Sequence, residues 1–91
     1  EIIDIDGTQV LLSGDYPTLV IQYEDKLGMI EKVSGFMVGT GANIASMKVT
    51  RSRRKATMVL ELDARIDRRT FEALEGLGLD YLASVGAVEE E

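Results

Sequence analysis

The segment spanning residues 18–51 most strongly constrains the fold, because it places one amphipathic helix between two strand patterns. The stretch from Thr18 to Tyr23 is apolar on both faces, as in a strand buried within a sheet. A polar loop follows, and Gly28 is expected to open a helix. Gly39 and Gly41 are expected to end that helix in the left-handed conformation. Its apolar side chains recur at the helical period: Met29, Val33, Phe36 and Met37.

Three further elements are predicted after this helix. Asn43 to Arg51 alternates apolar and polar residues, which is typical of a strand with one half-polar face. A tight connection at 52–54 leads to a largely apolar strand from Ala56 to Leu62. Asp67 is the expected N-cap of a second helix that ends at Gly78. Two residues that flank the start of this helix form a candidate hydrophobic staple: Ile66 and Phe71.

Strand patterns also occur near both ends of the chain. Tyr81 to Val88 is the predicted last strand, and Asp6-Gly7 between two apolar runs is a strong hairpin signal. Residues 1–17 are therefore predicted to form a β-ribbon or linker ahead of a domain at 18–91. The element order of that domain predicts a ferredoxin-like βαββαβ fold of the α+β class. Its antiparallel four-stranded sheet would carry both helices on one face, with the Thr18–Tyr23 and Ala56–Leu62 strands central and the Asn43–Arg51 strand at an edge.

Composition excludes several kinds of chemistry for this chain. It has no cysteine and no histidine, which removes thiol catalysis, imidazole acid–base catalysis and nearly all zinc sites. We therefore predict no catalytic residue, no metal site and no cofactor on this chain. The formal net charge of −6 argues against nucleic-acid or membrane partners. The lack of cysteine is compatible with a cytoplasmic location.

Two segments of the chain resemble the ACT domain, a regulatory module of many amino-acid-metabolising enzymes. Asp25-Lys26-Leu27-Gly28-Met29-Ile30 resembles the family's turn from strand to helix. Gly41-Ala42-Asn43-Ile44 resembles the Gly-x-Asn-Ile sequence that opens the family's next strand. The resemblance covers roughly residues 18–88 and the same βαββαβ fold. Leu27 stands where most members carry proline, which should loosen the loop.

Two kinds of parent enzyme contain ACT domains that this chain resembles. The segment 14–19 resembles the C-terminal region of beta chains of iron–sulfur L-serine dehydratases, which convert L-serine to pyruvate and ammonia. The segment 43–49 resembles the C-terminal domain of D-3-phosphoglycerate dehydrogenases. We favour the first because of the Tyr16-Pro17-Thr18 entry. That resemblance implies an attached or partner catalytic part that carries a 4Fe-4S cluster, and both imply L-serine as ligand.

The resemblance also implies a binding site shared by two chains. Serine-binding members hold the amino acid between two subunits. For this chain the resemblance implies a homodimer paired through the edge strand Asn43–Arg51. Asp25 would accept hydrogen bonds from the ligand's ammonium group, and backbone N–H groups at the helix start would face its carboxylate. The partner's Asn43 would offer a donor and an acceptor. The implied ligand-binding residues are Tyr23, Asp25, Lys26, Gly28, Met29 and Asn43.

Each of these residues also has a purely structural interpretation. Asp25 could cap the helix, Gly28 could serve only the turn, Asn43 could occupy a left-handed turn, and Tyr23 could end its strand with the hydroxyl in water. The whole domain could be a dimerisation module without a ligand. A basic cluster is expected to be a solvated hairpin tip or a self-association contact: Lys48, Arg51, Arg53, Arg54 and Lys55. The four methionines are expected to fill the core: Met29, Met37, Met47 and Met58.

Overall fold

A computed structural model of the chain describes residues 2–5, 8–12 and 14–89. Among these residues the strands are β1 Ile2–Ile5, β2 Thr8–Leu11, β3 Thr18–Glu24, β4 Ile44–Ser52, β5 Lys55–Leu62 and β6 Tyr81–Val85. The helices in the same ranges are α1 Met29–Gly39 and α2 Arg68–Glu75. The predicted hairpin turn Asp6-Gly7 lies outside the described residues, although β1 and β2 pair as an antiparallel ribbon.

The main sheet has the strand order β4-β5-β3-β6, and every neighbouring pair is antiparallel. The two strands that were expected to be central, β3 and β5, lie in the middle, and β4 lies at an edge. Both helices contribute buried side chains to the same cluster on one face of the sheet, through Val33 and Met37 of α1 and Leu74 of α2. The predicted ferredoxin-like α+β fold is therefore confirmed.

Strand β3 is buried on both faces, because the helices cover one face and the N-terminal ribbon packs on the other. Leu19, Ile21 and Tyr23 point toward the helices and are fully buried. On the opposite face, Val20 packs against Val10 and Leu12 from the end of the N-terminal ribbon. The ribbon therefore shields the centre of the sheet from water. The domain boundary after residue 17 stays a prediction.

Several element ends differ from the sequence prediction. Helix α2 ends at Glu75 with Gly76 as its C-cap, so the prediction that it ends at Gly78 is wrong. Gly78 instead has a positive φ in the connection that follows. Strand β6 ends at Val85, three residues early, because Gly86 turns the backbone with a φ of 66°.

The boundaries of α1 and β4 also need correction. Gly39 belongs to the helix, and Gly41 alone of the two glycines takes the left-handed conformation. Asn43 precedes β4, which begins at Ile44 and carries a register shift before Ser46. Met47 does not fill the core as predicted, since it lies on the edge strand and is 45% exposed.

The start of α2 follows the sequence prediction closely. The Asp67 carboxylate accepts a hydrogen bond from the backbone N–H of Thr70 at 2.7 Å, which confirms the predicted N-cap. Hydrogen bonding by Thr70, first through its side chain and second through its backbone N–H, lowers the pKa of Asp67 below its usual range. Ile66 and Phe71 both pack on the main core, where a hydrophobic staple would place them.

The β4–β5 hairpin tip is strained. Arg53 and Arg54 form its two-residue loop with φ values of 51° and 67°, and each is a side-chain-bearing residue in the left-handed region. Two-residue hairpins with this backbone strongly prefer Asn-Gly, since other residues in this region cost about 1 kcal/mol or more each.

Replacing the tip by the preferred pair is expected to stabilise the fold. The double substitution Arg53→Asn and Arg54→Gly should raise the free energy of unfolding by about 1–2 kcal/mol, because it relieves the strain at both positions. Urea unfolding followed by circular dichroism measures the change. Arg65→Asn is the matched control, since Arg65 is exposed and has a negative φ, and it should stay within about 0.5 kcal/mol of wild type. An unchanged midpoint for the double variant would contradict the strain argument.

Neither helix in the ranges 2–5, 8–12 and 14–89 has the length and apolar character that a membrane span requires.

Candidate functional site

The loop between β3 and α1 is a tight turn held in place by backbone hydrogen bonds. The N–H of Met29 donates to the carbonyl of Lys26 at 3.3 Å, and Gly28 has φ 89° and ψ −8°. These values define a type II turn with Leu27 and Gly28 at its centre, and the second central position requires a positive φ. The N–H of Asp25 also donates to the carbonyl of Arg54 at 2.6 Å, so the loop is tied to the hairpin tip.

The position of Leu27 in this turn is one that suits proline, as the resemblance to ACT domains implied. Leu27 is the first central residue of the type II turn, where a φ near −60° makes proline favourable. Its side chain is fully exposed and therefore contributes little to packing.

Leu27→Pro is expected to rigidify the loop without disturbing the core. The free energy of unfolding should rise by about 0.4–1 kcal/mol, because proline restricts the unfolded chain. Leu27→Ala is the control and should leave stability unchanged, since it removes only an exposed side chain. Thermal and urea unfolding of the two variants provide the measurement. A loss of stability with proline but not with alanine would show that the loop does not adopt the type II geometry.

An ion pair connects the loop to the edge strand. Nε of Arg51 on β4 lies 3.3 Å from Oδ1 of Asp25, and the two side chains are 58% and 30% exposed. The helix N-cap is Gly28, with no side-chain capping hydrogen bond, so the interpretation of Asp25 as a helix cap is wrong. Asp25 instead places an acidic group beside a basic one at the helix entrance.

Tyr23 lies in the same row of the sheet as Arg51. The strand register aligns Tyr23 with Ala56 and Ala56 with Arg51, so the three residues form one row on the helix-facing side of the sheet. Tyr23 is fully buried, and its hydroxyl has no hydrogen-bond partner among the described residues. The interpretation that this hydroxyl points into water is therefore wrong. Burial raises the pKa of Tyr23, while the nearby charges act in opposite directions, Arg51 lowering it and Asp25 raising it.

An open cleft of about 720 Å³ adjoins the loop. Its walls combine the turn, the first turns of α1 and the end of β4. The cleft presents an acidic group, a basic group and the N-terminal end of an eleven-residue helix within one small area. Its lining residues are Asp25, Lys26, Leu27, Gly28, Ile30, Glu31, Ser34 and Arg51.

Asn43 lies at the other end of β4 from this cleft. Its carbonyl accepts a hydrogen bond from the N–H of Asp63 at 3.0 Å, and it borders a separate depression with Asp63 and Asp67. The strand from Ile44 to Arg51 spans seven residue steps, roughly 23 Å. One chain therefore does not bring Asn43 to its own loop. Asn43 does not have a positive φ, so the interpretation that it occupies a left-handed turn is wrong. Gly41 is the residue in the left-handed conformation.

Three of the six predicted site residues line the cleft, namely Asp25, Lys26 and Gly28. Tyr23 and Met29 adjoin the loop without lining the cleft, and Asn43 lies apart. Lys26 is on the surface and pairs with Glu24 at 3.4 Å. Sequence reasoning missed Arg51 as a site residue, because it was grouped with the basic hairpin tip. Arg51 lies two residues after Val49 and four after Met47, so strand alternation places all three on the helix-facing side. This pattern could have identified Arg51 as a residue close to the loop.

Solved structures with the same architecture define the class of fold. The solution NMR structure of the ACT domain from GTP pyrophosphokinase of Chlorobium tepidum matches with a TM-score of 0.61 and 19% identity, covering 82% of this chain and 90% of that one. The crystal structure of that domain matches with a TM-score of 0.60 and 18% identity, covering 76% and 95%. The chain therefore has the ACT-domain fold.

Sequence comparison adds the particular relatives. The chain is 29% identical over 91 residues to the L-serine dehydratase beta chain of Peptoniphilus asaccharolyticus, covering 98% of this chain and 40% of the relative. It is 30% identical over 79 residues to the probable L-serine dehydratase beta chain of Bacillus subtilis (strain 168), covering 85% and 36%. No family model matches. The chain belongs to the family of L-serine dehydratase beta chains, as predicted, with the ACT-domain fold, and it spans at most 40% of the length of these relatives.

Proposed function

We propose that this chain is a regulatory ACT domain that senses L-serine, as part of an iron–sulfur L-serine dehydratase that converts L-serine to pyruvate and ammonia. The observation that carries the proposal is the similarity to L-serine dehydratase beta chains over nearly the whole of this chain. The domain has no cysteine or histidine for catalysis, so its proposed role is to bind serine and not to transform it.

The charges at the loop are complementary to an amino-acid zwitterion. Asp25 and Arg51 hold opposite charges 3.3 Å apart, and a free amino acid carries an ammonium and a carboxylate at a similar separation. In the proposed complex Asp25 accepts from the ammonium. Arg51 and the backbone N–H groups at the start of α1 donate to the carboxylate.

A second chain supplies the remaining contact in this proposal. Within the described residues, β4 has a neighbour on one side only, so its other edge is open to a second copy of the same strand. Twofold pairing of antiparallel edges reverses the strand direction, which brings the start of one β4 to the end of the other. The partner's Asn43 would then reach the loop at Arg51, and each dimer would hold two sites.

The proposed enzyme's iron–sulfur cluster belongs elsewhere. A 4Fe-4S cluster is held by cysteine thiolates, and this chain has no cysteine to ligate it. The residues of this chain therefore do not fit a 4Fe-4S cluster. The cluster is therefore proposed for an attached or partner catalytic part, and no function of the ACT domain depends on holding it.

Regulation would follow from differential affinity. If L-serine binds the paired form of two ACT domains more tightly than the separated form, it shifts the population toward the pair. The catalytic part attached to each ACT domain then responds to the same equilibrium.

Calorimetric titration of the chain with L-serine, glycine and D-serine tests the proposal. We expect saturable heat with L-serine. D-serine should bind more weakly, because its side chain and its Cα hydrogen are exchanged relative to L-serine. The absence of heat and of any thermal shift with all three ligands would contradict the proposal. A dimer that binds none of them would instead support the alternative of a ligand-free dimerisation module.

A further inference from the structure

The N-terminal ribbon packs on the sheet through a small apolar cluster of its own. Among the described residues this cluster shares no member with the main core, which lies between the sheet and the helices. The main core is therefore complete without any side chain from the ribbon. The ribbon cluster joins three side chains from the ribbon and its end to three valines of the sheet: Ile3, Val10, Leu12, Val20, Val59 and Val85.

The ribbon is also a separate sheet. In the described ranges its strands pair only with each other, and the four-stranded sheet contains neither of them. An isolated two-stranded hairpin is marginally stable in water, so the ribbon depends on its side-chain packing. Its outer face is open to solvent, where the cross-strand pair Ile2 and Leu11 is 62% and 73% exposed.

The contact between the ribbon and the sheet leaves a gap. A cavity of about 60 Å³ remains between β2 and the sheet, with the polar side chains of Gln9, Lys48, Thr50 and Thr57 in its walls. A polar cavity of this size can hold water. Separating the ribbon from the sheet at this place therefore disrupts little apolar contact.

The connection from the ribbon to β3 contains a hinge position at Gly14. Gly14 has a φ of 79°, and a side chain at this position would meet no atom within 4 Å. The chain is fixed to the sheet from Pro17, whose carbonyl accepts a hydrogen bond from the N–H of Leu62 at 2.8 Å. A change of the backbone angles at Gly14 would therefore move the ribbon without moving β3.

We propose that the ribbon is a strap that opens as one unit about Gly14 and uncovers an apolar patch on the sheet while the domain behind it stays folded. The patch consists of Val20, Val59 and Val85, and Val20 has no exposed surface while the ribbon is closed. Opening of such a unit needs less free energy than global unfolding, because the main core stays intact. The opening does not depend on the proposed serine site, so it is testable without a ligand.

Hydrogen exchange of backbone amides under native conditions, measured by NMR, tests this strap with two matched substitutions. Val10→Ala weakens the ribbon cluster, and Val33→Ala weakens the main core, since each valine is buried in its own cluster. Val10→Ala should speed exchange of the β1 and β2 ladder amides by about tenfold. Val33→Ala should speed exchange in β3 and β5 by about tenfold and leave β1 and β2 within about twofold of wild type, because strap opening keeps the main core intact.

Two exchange results would overturn the inference. If Val33→Ala speeds the β1 and β2 amides as much as those of β3 and β5, the ribbon opens only when the whole domain unfolds. If Val10→Ala leaves the β1 and β2 amides unchanged, the apolar cluster does not hold the ribbon closed.

Dye binding supplies an independent readout. Val10→Asp places a charge in the ribbon cluster and should hold the strap open. The fluorescence of anilinonaphthalene sulfonate, which binds exposed apolar surface, should then rise by about threefold or more, while circular dichroism keeps the helix signal. Gln9→Asp is the matched control, since it adds the same charge at the exposed neighbouring position, and it should behave as wild type. Unchanged fluorescence of Val10→Asp would show that the patch stays covered, and loss of its helix signal would show that the domain needs the ribbon to fold; either result contradicts the strap.

Discussion

Asp25→Ala is expected to weaken L-serine binding by about 10- to 100-fold while the protein stays folded. A hydrogen bond to a charged group contributes about 1.5–3 kcal/mol, and the substitution removes the proposed acceptor for the ligand's ammonium group. Here the substitution removes the ammonium acceptor and leaves Arg51 without its partner at 3.3 Å. Calorimetric titration measures the affinity, and circular dichroism with sedimentation confirms the fold and the association state.

Glu24→Ala is the control for this substitution. Glu24 precedes Asp25 and carries the same charge, but it pairs with Lys26 on the surface, and the two side chains are 59% and 63% exposed. Its removal should change serine affinity by no more than about twofold, since exposed pairs contribute little. Equal affinities for Asp25→Ala and wild type would show that serine, if bound, binds somewhere other than the loop.

Asn43→Ala is expected to abolish binding by a different route, and a mixing experiment reveals it. Asn43 precedes β4, whose seven residue steps from Ile44 to Arg51 span roughly 23 Å, so in the proposed account it serves the site of a partner chain. Asp25→Ala and Asn43→Ala should each fail to bind L-serine alone. An equimolar mixture should recover binding, because a mixed dimer combines an intact loop from one chain with an intact asparagine from the other.

The expected stoichiometry of the mixture is specific. Random exchange makes about half of the dimers mixed, and each mixed dimer has one intact site, so the mixture should show about one-quarter of the wild-type sites. Each variant titrated alone is the control. A mixture that binds no more serine than its components would contradict a shared site, and full binding by Asn43→Ala alone would remove that residue from the site.

The sequence was sufficient to predict the sheet and its strand order. Hydrophobic runs on both faces of β3 and β5 mark central strands, and the polar alternation of β4 marks an edge. The prediction of strand positions succeeded because buried faces of a strand carry apolar residues and exposed faces carry polar ones. The predicted ends of elements were less accurate, because Gly76, Gly78 and Gly86 each offered a possible stop and the choice depends on packing of the last turn.

The site was predicted in outline, and two of its features required the structure. The loop residues could be predicted because their spacing matches a known turn. The Asp25–Arg51 pair depends on the β3–β5–β4 register, which joins positions 26 residues apart. The burial of Tyr23 depends on how α1 covers the end of the sheet, and strand alternation alone does not specify that depth.

The dependence of the association state on L-serine tests the shared-site account most directly. Sedimentation equilibrium of the wild-type chain, with and without saturating L-serine, should be measured at concentrations around the dimer dissociation constant. Because each proposed site needs two chains, serine should raise the average mass toward that of the dimer, and D-serine should raise it less. Saturable binding of L-serine to a chain that stays monomeric would contradict the account.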